Sequence, residues 1–148
     1  MKIDQHDAEI IKQLRINSRI SLKELSECVS LSAPSVRERM KQLESFGVIK
    51  NYTVNVDFEA LGKPVQCIVE ATLLNRNYDA FQEMIKKQAN VEFCYRIAGR
   101  ACYMLKLHFP SFKDAEAWIN RMSTWATTVT HFIFSEVHMD HSRIVHEE

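Results

Sequence analysis

An α+β protein in two parts is predicted: three short helices over residues 1–50, then a βαββαβ unit over 64–148, joined by a strand and loop over 51–63. Three observations carry this. Two serines, Ser21 and Ser32, each open an amphipathic helix, and one short turn separates the two helices. From residue 64 onward, four strand-like runs alternate with two helical ones. Gly99 sits between two apolar runs, as in a hairpin.

The first helix is capped by Asp4 and buries Ile10, Ile11 and Leu14, running to about Ile16. In "SLKE" the Ser21 hydroxyl caps the second helix while Glu24 reaches back to the Ser21 amide, and Ile20 and Leu25 form a hydrophobic staple. The turn "SLS" leads to a third helix capped by Ser32, with Pro34 in its first turn and Leu31 stapled onto Val36. That helix buries Val36, Met40 and Leu43 and stops at Gly47. Its other faces carry Ser35, Arg37, Glu38, Arg39, Lys41 and Gln42. Two capped helices, a short turn and an exposed basic face are the sequence form of a helix-turn-helix, at about residues 22–41. Such a surface on a generic helix is usually only a solvated face; the paired caps and turn reverse those odds. Next, "VIKNYTVNVD" alternates apolar and polar residues and is expected to be a strand or wing.

In the second part, "PVQCIVEATLL" precedes a helix burying Tyr78, Phe81 and Ile85. "VEFCYRIAG" and "ACYMLKLHF" follow, joined through Gly99, then a helix from Ser111 burying Ala115, Trp118, Ile119 and Met122, and a last run "TVTHFIFSEVH". This order is that of a ferredoxin-like domain with both helices on one sheet face. In the last run Val129, Ile133 and Val137 point one way and Phe132 and Phe134 the other. An apolar face left uncovered by helices is expected to meet a second copy of the chain, sheet to sheet.

Bulk properties exclude several classes. With 148 residues and 46% hydrophobic content, the chain can build a core. It has no apolar run of about 18 residues and no basic-then-apolar leader, which points to the cytoplasm. Net charge is zero, yet residues 1–50 hold nine Lys/Arg against seven acids. Cys28, Cys67, Cys94 and Cys102 form no CxxC pair. With a two-residue turn at Gly99–Arg100, Cys94 faces Leu105, roughly 10 Å along the strand from Cys102 and too far for a disulfide. No phosphate loop or nucleophile arrangement is present, so neither an enzyme nor a cofactor is expected. His138, His141 and His146 are metal-capable, but their loose spacing suits a solvated tail better.

The segments "DQHDAEIIKQLRINSRIS", "LKELSECVSLSAPSVRERMKQLESFGVIKNYTVNVD" and "RIAGRACYML" together resemble the Lrp/AsnC (feast/famine) family of transcription regulators, its LrpC-type branch most of all. The resemblance covers essentially the whole chain. It implies a DNA-binding first domain and a second, RAM-type domain that forms homodimers, which in the family assemble further, often to octamers. It places the recognition helix at Ser32, with Ser32, Ala33, Ser35, Arg37, Arg39 and Lys41 toward double-stranded DNA, Ser35 and Arg37 at bases, Arg39 and Lys41 at phosphates. Many members hold a small amino-acid effector at the glycine-centred hairpin, here Gly99, Arg100, Ala101 and Cys102. Effector-binding members usually carry an acid three positions after that glycine, where this chain has Cys102. Two readings stay open: a regulator whose Arg100 meets a ligand's carboxylate, and an architectural, nucleoid-associated protein without an effector.

Overall fold

In a computed structural model, which describes residues 2–137 and 139, contacts divide the chain into two compact units, the second running from Val56 to Glu136.

The first unit holds α1 (Gln5–Ile16), α2 (Leu22–Cys28) and α3 (Ala33–Ser45). Each start is set by the predicted side chain. Asp4 and Asp7 form a reciprocal capping box on α1, Ser21 and Glu24 form one on α2, and the Ser32 hydroxyl accepts from the Ser35 N–H. Ile10, Leu14, Leu25, Val29, Val36 and Leu43 make the core, with Met40 packed against it. Both helices of the helix-turn-helix end alike. Gly47 (φ 70°) follows α3, with the Gly47 N–H on the Glu44 carbonyl and the Val48 N–H on that of Leu43. After α2, Ser30 takes the same role at φ 55°: its own N–H meets the Glu27 carbonyl, and the Leu31 N–H meets that of Ser26. A serine pays for left-handed backbone what glycine does not.

The expected wing or linking strand is not formed. A strand needs a neighbouring backbone, and among the described residues none pairs with 48–57; Tyr52, Val54 and Val56 stay exposed. A turn over 58–62 follows, closed by the Lys63 N–H on the Phe58 carbonyl.

The second unit is β1 (Val65–Leu73), α4 (Tyr78–Lys86), β2 (Val91–Arg96), β3 (Tyr103–Phe109), α5 (Phe112–Met122) and β4 (Ala126–Phe132). The four strands lie antiparallel in the order β2-β3-β1-β4. Cys67, Val69, Ala71 and Leu73 of β1 and Tyr103, Leu105, Leu107 and Phe109 of β3 face Phe81 and Ile85 of α4 and Ala115, Trp118 and Met122 of α5. Both helices therefore cover one face, as the order of elements requires. Cys94 stands opposite Leu105, the register expected of a two-residue turn, and Gly99 has φ 142°.

The other face is mixed rather than wholly apolar. Alternation puts Ile68, Phe93, Tyr95, Met104 and Val129 there, but also Gln66, Glu70, Thr72, Lys106, His108, Thr127 and His131. β4 also stops at Phe132, short of the run expected to reach residue 138, with a further backbone bond from the Ile133 N–H to the Gln66 carbonyl. His138, His141 and His146 lie outside the described residues.

Relieving the left-handed serine is a direct check on the α2–α3 junction. Ser30→Gly is expected to raise the unfolding free energy by about 1 kcal/mol in urea titrations, and a loss of stability would disprove the Ser30 geometry.

Candidate nucleic-acid interface and the hairpin recess

The candidate interface is the exposed side of α3. Pro34 in its first turn loses no helical hydrogen bond there, and the Ser32 and Ser35 hydroxyls lie 2.8 Å apart. With Val36 and Leu43 buried, the opposite side is left to solvent: Ser32, Ser35, Arg37, Glu38, Lys41 and Gln42 are exposed and Ala33 is half-buried. A helix N-terminus with short side chains can approach base edges, while cations farther along reach phosphates.

Arg39 departs from the exposed set expected of it. Its Nη1 donates to Asp7 Oδ1 at 2.7 Å and to Asp4 Oδ2 at 2.8 Å. The Asp7 side chain is 3% exposed and that of Asp4 50%. Each carboxylate gives its other oxygen to the capping box: Asp4 Oδ1 accepts the Asp7 N–H, and Asp7 Oδ2 accepts the Asp4 N–H. The guanidinium is pushed to still higher pKa, first by the hydrogen bond to Asp7 and then by Asp4. The Asp4 carboxyl is held below its usual range, chiefly by the Asp7 N–H, with Arg39 adding to it. A signal for this was present in the sequence. At about 100° per residue, Arg39 lies only some 60° from Val36 and 40° from Leu43, on the flank of the buried face.

The hairpin residues are brought together with a partner that sequence reasoning missed. Arg100 donates through Nε and Nη2 to both oxygens of Glu70, at 2.9 and 2.8 Å, and His131 Nε2 lies 3.2 Å from Glu70 Oε1. Glu70, Thr72, Arg100, Ala101, Thr127 and Val129 line a recess of about 200 Å³. Glu70 is held below its ordinary range, first by the Arg100 hydrogen bonds and, after opposition from burial, by His131. Ala101 is buried. Cys102 is half-buried, and its N–H donates to the Ala71 carbonyl while its own carbonyl accepts from Ile97. Gly99 has open space around it, so its positive φ rather than crowding accounts for the glycine. All four thiols are free, and burial pushes the Cys67 thiol up to about 11 and raises Cys94. Among the described residues no group of three or more His, Cys, Asp or Glu could hold a metal ion, and no helix is long and apolar enough to cross a membrane.

A helix-turn-helix with a capped, exposed second helix, followed by a βαββαβ unit, defines a DNA-binding regulator class. Residues 3–44 match the AsnC-type helix-turn-helix domain and residues 66–142 the Lrp/AsnC ligand binding domain. The chain is 53% identical over 143 residues to the HTH-type transcriptional regulator LrpC of Bacillus subtilis, covering 97% of this chain and 99% of that one. A solved structure of B. subtilis LrpC superposes with a TM-score of 0.90 at 54% identity, covering 93% of this chain and 99% of that one. A feast or famine regulatory protein from M. tuberculosis, solved in complex with L-methionine, does so at 0.83 with 28% identity, covering 95% and 97%. The chain belongs to the Lrp/AsnC family of transcriptional regulators. The resemblance read from the sequence, including its LrpC-type branch, is thereby borne out.

The sign of the Glu70 effect fixes a pH signature. A carboxyl lowered by folding stabilises the fold above its ordinary value of 4.5 and loses that contribution as pH falls through the lowered value. Denaturant midpoints of wild type and Glu70→Gln are expected to differ at pH 7 and to converge as pH drops below 4.5; a gap that stays constant into acid would exclude the pairing.

Proposed function

We propose that the chain is a sequence-specific DNA-binding regulator that acts as a homodimer, with two copies of α3 reading paired half-sites. The exposed, capped N-terminal turn of α3 carries this reading. In it, Ser32, Ala33 and Ser35 lie against base edges with Arg37 beside them, and Lys41 neutralises phosphate. One helix reads only a few base pairs, so affinity and selectivity need two, set about 34 Å apart or a multiple of that. The dimer forms across the open sheet face. Its Ile68, Phe93, Tyr95, Met104 and Val129 supply apolar contact, and its charges supply selectivity for a like surface. Higher assemblies of such dimers, octamers among them, would bend or wrap the duplex, and the protein would reside in the cytoplasm on the nucleoid.

A second reading is favoured by one observation, the Arg100–Glu70 pair. An amino-acid effector needs a carboxylate for its ammonium group and a cation for its carboxylate. Cys102 supplies no carboxylate, and Arg100 and Glu70 satisfy each other. The relative solved with L-methionine makes that amino acid the first to try. In the second reading the chain is an architectural DNA-binding protein that senses no free amino acid. A thermal-shift screen against the common amino acids decides between the two: saturable stabilisation by one of them supports the effector-responsive regulator, and a flat profile supports the architectural protein.

For the DNA-binding surface itself, Arg37→Ala/Lys41→Ala is expected to weaken binding without loss of fold. With Lys41 the member of the pair on phosphate, the slope of log K against log salt becomes shallower by about 0.9. Gel-shift titrations with unchanged affinity for the folded double variant would remove α3 from the interface.

A further inference from the structure

We infer that Arg39 does not touch DNA but is a positioning residue, fixing the roll of the recognition helix against α1; this rests on the DNA-binding reading above. The charge around it is the first argument. One guanidinium stands against two carboxylates, so the cluster carries a net negative charge, and a phosphate approaching Arg39 would meet the half-exposed Asp4 carboxylate. Such a site repels the backbone that Arg37 and Lys41 would attract.

Geometry is the second argument. α1 and α3 share an apolar contact through Ile10, Leu14, Val36 and Leu43, which are smooth aliphatic groups. A contact of that kind holds two helices together but resists rotation about the helix axis only weakly, because dispersion is non-directional. A hydrogen bond is directional and fails within a few tenths of an ångström beyond about 3.2 Å. Arg39 sits near the middle of α3, and its side chain crosses from that helix to the first turn of α1, at 2.7 and 2.8 Å. Those acceptors cannot drift, because both carboxylates are locked into the capping box by their other oxygens. A roll of α3 that swung Ser35 and Arg37 away from base edges would first break these bonds, leaving the buried Asp7 without its cation.

The two roles separate in a salt titration. The probes are a duplex enriched by the wild-type full-length protein from a random-sequence pool and a mixed-sequence duplex. The variants are Arg39→Gln, Arg39→Lys, Asp7→Asn and the double variant Asp7→Asn/Arg39→Gln. Circular dichroism checks that each is folded at the temperature used, and Asp7→Asn keeps the shape of the site should Arg39→Gln not fold. A positioning role predicts that Arg39→Gln and Asp7→Asn each weaken binding to the enriched duplex on the order of tenfold. It also predicts an unchanged salt slope, a double variant no worse than the weaker single one, partial recovery in Arg39→Lys, and little change on the mixed duplex.

Three results would overturn it. A slope shallower by about 0.9 in Arg39→Gln would make Arg39 a phosphate contact. Tighter binding with a steeper slope in Asp7→Asn would mean that the freed arginine turns to DNA. Wild-type affinity in folded variants that merely melt earlier would leave Arg39 a stabiliser only. A wild-type protein that binds neither duplex overturns the DNA-binding reading itself, which none of the three results does.

Discussion

Among its described residues the first unit has six buried apolar side chains to organise three helices, and that scarcity governs everything built on it. So small a core sets which faces meet but leaves helix ends and helix roll underdetermined, because apolar contact has no preferred direction. Polar groups supply what is missing. Asp4, Ser21 and Ser32 fix where the helices begin, Ser30 and Gly47 fix where two of them end, and Arg39 joins the third helix to the first. The surface offered to a duplex is therefore placed by hydrogen bonds at its margins more than by the core beneath it.

The second unit solves the opposite problem. Its helix-covered face is dense with aromatic and aliphatic groups, Trp118, Tyr103 and Phe81 among them, and needs little polar definition. Polar chemistry is concentrated on the face without helices, where Glu70 on β1 accepts from Arg100 at the hairpin and lies beside His131 on β4. His108 on the same face is stacked on Phe58 at 3.6 Å and lies 2.5 Å from Glu92, with its Nδ1 unpartnered. A surface of this composition favours a partner with matching groups over general adhesion.

What could be read from the sequence was local or periodic. Caps at Asp4, Ser21, Ser32 and Ser111, the stop at Gly47, the presence of all five helices and the order of helices and strands along the chain follow from spacing that one segment contains. The Cys94–Leu105 register followed too, since the turn at Gly99 fixes it. The misses depend on a second segment or a rare conformation. Alternation over 48–57 gave a strand pattern but no neighbour to pair with. Arg39 looked exposed because its acceptors lie 32 and 35 residues away, and Arg100 looked available because Glu70 is 30 residues distant. Ser30 carries no mark of left-handed backbone, a role usually given to glycine or asparagine.

The bidentate grip of Arg100 on Glu70 has a consequence for how such a hairpin can change over generations. An acid introduced at position 102 alone would stand two residues from a guanidinium able to neutralise it, and Arg100 removed alone would leave a mostly buried carboxylate with only His131 beside it. The two substitutions therefore depend on each other's order, and each is costly or silent without its companion. Epistasis of this kind slows any change of charge at the hairpin, since no single substitution carries it from one satisfied arrangement to another.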